Sequence, residues 1–449
     1  MRLQIPSSEE EKKRLRREAE FQAKQSHLRP SYHFRTTGGW MNDPNGTILF
    51  NSTYHMFYQS FPYSIQNGQV HWGHAKSKDL IHWEHLPDAI LPSINKGEIE
   101  CWSGCCVDFH GVPTIYYTSI GSKWPKVYDA SQWAAISDEE MLNWKKIDTN
   151  PAMSMKIHEK SGLMVEDWRD PYLFEHKGEW YAVLGGHVTT KTPNGDEYEN
   201  PSAFLYSSQD LRTWTFLGSM TSGYPSPGIS HRTSKPKNMG GSSVGWNWEC
   251  PNFFMLDKSK ELYCLVVSPH DRLCYTLGTF DGKKFDHGEW YTLDHSSIFY
   301  ASNTFRQLDD TLIIIAWVRG RGGHNDGIIA CMSLPRALRP LPNGKLSIQP
   351  YKGIEQLRKE SIFFPDFEVE TDRQVNISDL AECTMFFRQS ERRLEIIYDI
   401  DLVPRETPTE GGFSISLFHE EDVDGGQFET EIGMRSEEHT SELQSPNTI

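Results

Sequence analysis

The chain has 449 residues, too many for one small core, so we expect two or three domains. Aromatic residues make up 12% of it, and the apolar stretches are short, which favours many short strands joined by tight turns. The formal net charge is −16, and an acidic surface repels nucleic acid and anionic membranes, so neither is an expected partner. No apolar run is long enough to predict a transmembrane helix.

The N-terminus is dominated by charges of both signs, from Glu9 to Arg17, and has no apolar core for a signal peptide. We predict an exposed, charge-paired helix within a charged extension of residues 1–30. A cytoplasmic protein is then expected, or a secreted one if residues precede Met1.

A loose repeat follows, in which three segments end in tryptophan: Ser77–Trp83, Asp138–Trp144 and Ser208–Trp214. Each lies between strand-like runs, and a repeat of one turn plus about four strands is typical of a propeller blade. Residues 31–350 have room for five such blades, so an all-β, five-bladed β-propeller is predicted. The alternative is that the pattern only marks tight turns.

Asp43 lies in the segment Trp-Met-Asn-Asp-Pro-Asn-Gly, residues 40–46. Pro44 favours an extended backbone at Asp43, and Asn45-Gly46 supplies a tight turn. A short acid held on such a turn points in one direction, as a nucleophile must. Taken alone, the segment indicates a turn more strongly than a catalytic site.

Two further carboxyl groups have unusual neighbours. Asp170 also precedes a proline, and Arg169 is close enough to favour ionised carboxylates, although a surface ion pair is the simpler interpretation. Glu249 lies between Trp248 and Cys250, which we expect to desolvate the carboxyl group and raise its pKa. A retaining glycosidase needs one ionised carboxylate as nucleophile and one protonated carboxyl group as acid, so the three acids together indicate that reaction class.

With these segments in order, the chain resembles glycoside hydrolase family 32, the invertase, inulinase and levanase family. The resemblance spans residues 30–350 and rests on these segments: 40–46, His-Trp-Gly-His-Ala at 71–75, 79–83, Trp-Ser-Gly at 102–104, Arg-Asp-Pro at 169–171, Trp-Glu-Cys-Pro at 248–251 and Ser-Leu-Pro-Arg at 333–336.

The resemblance implies a five-bladed β-propeller followed by a β-sandwich, and cleavage of β-fructofuranosidic bonds in sucrose, fructo-oligosaccharides or fructans without a metal or other cofactor. It implies that Asp43 is the nucleophile, Glu249 the acid/base and Asp170 the transition-state stabiliser. The residues implied to line the fructose subsite are Asn42, Gln59, Trp102, Ser103 and Arg169.

Three positions depart from the family pattern and leave the preference for sucrose or fructan open. Asn67 stands where a tryptophan usually packs against the sugar, Cys105 replaces a serine, and Ile298 replaces an aspartate. A fructosyltransferase, a sucrose-6-phosphate hydrolase and a non-catalytic fructan-binding protein remain alternatives on the same scaffold.

Beyond Pro350, strand-like runs separated by charged turns predict a partial β-sandwich over residues 351–434. Residues 435–449 resemble the translation of a sequencing-library adapter, so we interpret them as an artefact and expect the natural chain to continue differently after Met434.

The chain has eight cysteines without zinc-ligand spacing, which predicts free, buried thiols and no structural metal. They are Cys101, Cys105, Cys106, Cys250, Cys264, Cys274, Cys331 and Cys383. The oligomeric state is not indicated by the sequence.

Overall fold

The computed structural model describes residues 2–26, 29–30, 32–123, 129–191, 197–221, 247–270, 272–294, 298–319 and 330–358, and the backbone of 411–421 and 427–436. The chain divides into two compact units, Met1–Phe364 and Pro365–Ile449. Within the described ranges, no helix is both long enough and apolar enough to span a membrane.

The first unit begins with the predicted helix, α1 (Glu9–Gln25), which starts after Ser8. The Ser8 hydroxyl accepts the backbone N–H of Glu11 at 3.2 Å, and the glutamates of the first turn favour the positive end of the helix dipole. The sequence predicted an exposed helix. One face of the helix is instead covered, because Ala19 and Ala23 are buried.

Five antiparallel sheets follow, in chain order, and we call them blades I to V. Blade I contains β1 (Trp40–Phe50), β2 (Thr53–Phe61), β3 (His71–Ser77) and β4 (Trp83–Ile90). Blade II contains β5 (Glu98–Phe109), β6 (Val112–Gly121), β7 (Ala130–Ile136), β8 (Lys145–Lys146) and the short β9 (Met153–Ser154).

The remaining blades repeat this order. Blade III contains β10 (Met164–His176), β11 (Glu179–Lys191), β12 (Glu197–Ser208) and β13 (Thr215–Ser219). Blade IV contains β14 (Glu249–Asp257), β15 (Leu262–Ser268), β16 (Cys274–Phe280), β17 (Phe285–His287) and β18 (Tyr291–Thr292). Blade V contains β19 (Phe299–Arg306), β20 (Leu312–Val318), β21 (Cys331–Met332), β22 (Arg336–Pro340) and β23 (Leu346–Pro350).

The first strand of each blade contacts the first strands of both neighbours, so β1, β5, β10, β14 and β19 form a closed inner ring. The predicted five-bladed β-propeller is therefore confirmed. The tryptophan-ending repeat forms the turn between the third and fourth strands of a blade. In blade I, for example, Asp79 Oδ1 accepts the backbone N–H groups of Ile81 and His82 at 2.9 and 2.8 Å.

Each inner strand carries a break in pairing register in its N-terminal half or at its middle, where two of its residues lie opposite one on the next strand. The breaks fall between Met41 and Pro44, Cys101 and Gly104, Arg169 and Tyr172, Glu249 and Asn252, and Tyr300 and Asn303. Such bulges re-aim side chains. In blades III to V a residue of the break, Asp170, Cys250 or Ala301, has positive φ, an unfavourable conformation for a side-chain-bearing residue.

Apolar side chains between adjacent blades form the core. One cluster closes the ring by joining blade V to blade I, with Phe305, Ile313 and Met332 packed among Met41 and Met56. Just before blade I, the backbone oxygen of Phe34 accepts the N–H of Met332 at 2.7 Å, which adds a polar contact to this closure.

Seven cysteines lie in the described ranges, and all are free, as predicted. Six of them are buried, whereas Cys331 is partly exposed rather than buried. Cys383 lies outside these ranges.

The second unit contains the antiparallel pair β24 (Gly411–Glu421) and β25 (Gln427–Ser436). The partial sandwich remains a prediction because most of residues 351–434 lie outside the described part. The adapter interpretation also remains a prediction, and residues 437–449 lie outside that part.

Candidate active site

The eight residues singled out in the sequence meet at the register breaks of the inner ring. Blade I contributes Asn42 and Asp43 from β1 and Gln59 from β2. Trp102 and Ser103 come from β5 in blade II, Arg169 and Asp170 from β10 in blade III, and Glu249 from β14 in blade IV. A continuous set of hydrogen bonds and ion pairs joins residues from all four blades.

The Asp43 carboxylate is fixed by polar side chains on both oxygens. Ser103 Oγ donates to Oδ2 at 2.5 Å, and Asn42 Nδ2 donates to Oδ1 at 3.1 Å. Gln59 supports both donors, since its Oε1 accepts from Asn42 at 2.8 Å and its Nε2 donates to Ser103 Oγ at 2.5 Å. Burial raises the pKa of Asp43, while the bonds from Ser103 and Asn42 act to lower it.

Asp170 lies deeper, with 6% of its surface exposed. Its backbone N–H donates to Thr118 Oγ1 at 2.8 Å, and its Oδ2 accepts the backbone N–H of Cys250 at 2.9 Å. The Cys250 thiol lies 3.6 Å from both Asp170 Oδ2 and Asp43 Oδ2, so it contacts both carboxyl groups. Burial raises the pKa of Asp170 to about 7, because Arg169 offsets only part of this effect and the Glu249 and Asp43 charges add to it.

Glu249 is held by three groups that favour its ionised form. Arg169 Nη2 donates to Oε1 at 2.5 Å, the Tyr300 hydroxyl donates to Oε2, and His270 Nδ1 lies 3.4 Å from Oε2. The Tyr300 hydroxyl also accepts the backbone N–H of His270 at 2.9 Å, which orients it.

The prediction that Trp248 and Cys250 raise the pKa of Glu249 is wrong for this form of the site. Burial does act in that direction, but Arg169, His270 and Tyr300 outweigh it and lower the pKa of Glu249 to about 2. Trp248 instead packs into the blade core against Trp290, with ring centroids 5.0 Å apart. Glu249 is therefore ionised near neutral pH, whereas Asp170, with a pKa of about 7, is partly protonated there.

Trp102 forms an aromatic wall beside these groups. Its Nε1 donates to Glu100 Oε2 at 2.6 Å, and the Arg169 guanidinium lies 6.0 Å from its ring centroid. On the blade I side, Trp40 Nε1 donates to Asn42 Oδ1 at 2.8 Å, and its ring lies 6.5 Å from that of Trp317. Aromatic faces next to carboxylates are suited to sugar rings, which are apolar on one face and polar at the edge.

Sequence reasoning missed Tyr300 and His270 as site residues. Tyr300 lies within the segment that was compared with the family pattern because of Ile298, so a signal for it was present. His270 follows β15 and has no motif around it, and it reaches Glu249 only because β14 and β15 pair.

The departures from the family pattern have different surroundings. Cys105 is buried between blades II and III, where its Sγ accepts the backbone N–H of Leu173 at 3.3 Å, so its side chain belongs to the core. Ile298 is 38% exposed just before β19. The loop at Asn67 is paired with the N-terminal segment through Leu3, whose backbone N–H donates to Asn67 O at 3.4 Å.

Residues 33–350 match the model of the glycosyl hydrolases family 32 N-terminal domain. A sucrose-6-phosphate hydrolase of Zymomonas mobilis is 29% identical over 392 residues, which cover 83% of this chain and 70% of that protein. A fructan 6-exohydrolase of Beta vulgaris is 28% identical, over 79% of this chain and 59% of that protein.

Solved structures of proteins from the same family are also similar to this chain. The Bombyx mori GH32 β-fructofuranosidase has a TM-score of 0.63 and 28% identity, over 81% of this chain and 74% of that chain. A single-residue mutant of that protein, solved in complex with sucrose, matches with the same TM-score and identity and over the same shares of the two chains.

Proposed function

Because the chain belongs to glycoside hydrolase family 32, we propose that it is a retaining glycosidase that cleaves β-fructofuranosidic bonds through a covalent fructosyl-enzyme on Asp43. The observation that carries the proposal is the convergence of Asp43, Asp170 and Glu249, from three blades, into one network linked by Cys250 and Arg169. Double displacement needs a nucleophile and an acid/base on opposite sides of the bond, with charge stabilisation beside the ring.

Asp43 acts as the nucleophile in this proposal. The hydrogen bonds from Ser103 and Asn42 hold the carboxylate in one orientation and favour its ionised form. Attack on the anomeric carbon forms the ester to Asp43 and releases the leaving-group oxygen, which takes a proton from Glu249. Water, deprotonated by Glu249, then releases fructose with net retention of configuration.

Glu249 needs a proton for the first step, and the ion pair with Arg169 opposes this. Sugar hydroxyls that accept hydrogen bonds from Arg169 would weaken its pairing with Glu249, and burial would then raise the pKa of the carboxyl group. Asp170 would meanwhile accept hydrogen bonds from the sugar as an anion. The proton that Asp170 holds in the free enzyme is thus replaced by one on Glu249, and the three carboxyl groups keep a single proton between them.

The test is the Asp43→Asn variant, which keeps the shape of the side chain and removes the nucleophile. We expect sucrose hydrolysis to fall by about 10³-fold or more, with an unchanged melting temperature. Asp286→Asn, at an exposed position of β17, is the matched control and should behave as wild type. Appreciable hydrolysis by Asp43→Asn would remove Asp43 as the nucleophile, and an inverted first-formed fructose anomer would exclude the retaining mechanism.

Sucrose 6-phosphate is a second candidate substrate, favoured by the similarity to the Zymomonas mobilis sucrose-6-phosphate hydrolase. Initial rates on sucrose, sucrose 6-phosphate, inulin and levan, measured side by side, identify the preferred small-molecule or oligosaccharide substrate. Oligofructans as the main product at high sucrose concentration would instead identify a fructosyltransferase.

A further inference from the structure

The N-terminal segment Arg2–Ile5 lies along the loop that precedes β3, beside the candidate active site. Leu3 forms a parallel bridge with Gly68, and its backbone oxygen accepts the N–H of Gln69 at 2.8 Å. The backbone N–H of Ile5 donates to Gln69 Oε1 at 2.9 Å. The segment therefore adds a short extra strand to this loop, next to the position where Asn67 replaces the tryptophan expected from the family pattern.

Arg2 extends from this segment to the wall formed by Trp102. Its guanidinium bonds to Glu100 Oε2 and lies 5.6 Å from the Trp102 ring centroid. The Glu100 side chain is 2% exposed, and the same oxygen, Oε2, accepts the Trp102 indole N–H at 2.6 Å. One buried carboxylate thus joins Arg2 to the indole, and the Arg2 charge offsets part of the desolvation that raises the pKa of Glu100.

Helix α1 follows this segment in the chain and is itself fixed to blade I. Arg16 Nη2 donates to Asp88 Oδ2, on β4, at 2.5 Å, and the Arg16 guanidinium lies 5.8 Å from the Tyr63 ring centroid. Ala19 lies so close to Gly38 that a Cβ atom added there would be 2.6 Å from the backbone carbon of Ala19. Residues 2–5 and helix α1 are therefore each held by their own contacts with the propeller.

We infer that residues Arg2–Ile5 form a wall of the substrate pocket and that Arg2 is a positioning residue, which holds the Trp102 indole against the sugar through Glu100. This inference rests on the proposed function, since Trp102 is taken to line the fructose subsite. Among the described residues Arg2 is the cation that pairs with Glu100, so its loss leaves this buried carboxyl group less firmly held, and with it the oxygen that accepts the Trp102 indole N–H. Because Trp102 would contact the sugar in the ground state and the transition state alike, the effect falls on KM more than on kcat.

The test compares Arg2→Met with Arg14→Met, a matched change at an exposed arginine that pairs only with Glu18 among the described residues. We expect Arg2→Met to raise the KM for sucrose about tenfold, with a much smaller change in kcat, when rates are measured well below the melting temperature, which should fall because Glu100 loses its cationic partner. Arg2→Lys should recover most of the affinity, since an ammonium group can still pair with Glu100. Arg14→Met should match wild type.

A second readout does not depend on turnover. In protein labelled with 5-fluorotryptophan, the ¹⁹F resonance assigned through Trp102→Phe should shift or broaden in Arg2→Met and stay unchanged in Arg14→Met. An unchanged Trp102 resonance, or a KM within about twofold of wild type, would overturn the inference. Failure of the wild-type protein to hydrolyse any of the four sugars would instead count against the proposed function, and the fluorine signal would still decide the role of Arg2.

Discussion

At the residue scale, the pKa values of Asp170 and Glu249 are in the opposite order from the one that the proposed acid/base role of Glu249 requires. Asp170 has a pKa of about 7, while Arg169 keeps the pKa of Glu249 at about 2. The two groups are coupled through the same arginine, so they titrate as a unit, and substrate binding at Arg169 changes both together.

The pH dependence of kcat/KM follows from this order, because it reports the free enzyme. The site needs one proton among its three carboxyl groups, and the free enzyme loses that proton from Asp170 as the pH rises through about 7. We therefore expect kcat/KM for sucrose to fall above about pH 7, when rates are measured from about pH 4 to about pH 9. A value that stays constant up to pH 9 would contradict this proton count.

Tyr300 allows a separate test of Glu249. Its hydroxyl stabilises the ionised form of Glu249 and so lowers the pKa of that carboxyl group. In Tyr300→Phe the pKa rises, and Glu249 keeps its proton to higher pH. The alkaline limb of kcat, which reports the enzyme–substrate complex, should then move upward by about one pH unit. A limb that does not move, or moves downward, would show that Tyr300 does not control the acid.

At the element scale, helix α1 is bound to blade I through a partly buried ion pair and a close backbone approach. The Arg16 and Asp88 side chains are 38% and 17% exposed, and burial of Asp88 is outweighed by His71 and Arg16, which bring the pKa of Asp88 to about 2. The charged residue Arg16 therefore fixes the helix to blade I, and the backbone of the helix at Ala19 and Glu20 lies against Gly38.

The Arg16–Asp88 pair predicts a pH-dependent stability. The pKa of Asp88 is depressed on folding from its ordinary value of 3.8, so its contribution is fully present above pH 4 and is lost as the pH falls toward 2. Arg16→Met should lower the free energy of unfolding by about 1–2 kcal/mol at neutral pH, after allowance for solvent exposure, and by less near pH 3. Urea titrations at the two pH values measure this, with Arg14→Met as control. An equal loss at both would assign the effect to packing.

Gly38 offers a second test of helix docking. Gly38→Ala places a methyl group 2.6 Å from backbone atoms of α1, so the helix must move, and we expect a loss of about 2 kcal/mol. Gly288→Ala is the matched control, because the nearest atom to its added Cβ lies at 3.8 Å. The inference on Arg2 also predicts a higher KM in Gly38→Ala. Equal stability of the two variants would mean that α1 is loosely placed.

At the scale of the whole molecule, stability depends on closing the ring between blades V and I. Phe305 is fully buried at this junction and contacts the Tyr54 ring edge-on, with centroids 5.8 Å apart. Phe305→Ala should reduce the free energy of unfolding by about 3–5 kcal/mol, whereas Phe305→Leu should cost less than about 2 kcal/mol. Denaturant unfolding followed by tryptophan fluorescence checks this. Similar values for the two variants would show that the junction repacks around the cavity.

The sequence was sufficient for the blade number and for the local segments of the site. The turn at Asp79 and the proline after Asp43 act over a few residues, so their patterns are visible without the fold. The contacts that set proton affinities are different in kind. Arg169 and Glu249 are 80 residues apart, and Arg2 and Glu100 are 98 apart, so each pair exists only because separate elements dock. The pKa of Glu249 was predicted wrongly for this reason.

The register breaks of the inner strands make the number of residues at the site critical, in addition to the identity of its side chains. A substitution at Pro251 changes one side chain, but deletion of that residue would close the break between Glu249 and Asn252. The pairs on either side of the break could persist, but Cys250 would lose the positive-φ conformation from which its backbone N–H reaches Asp170 Oδ2. Insertions and deletions should therefore be excluded at these five points and tolerated at the peripheral turns, which makes those turns the places to add a tag or a fused domain.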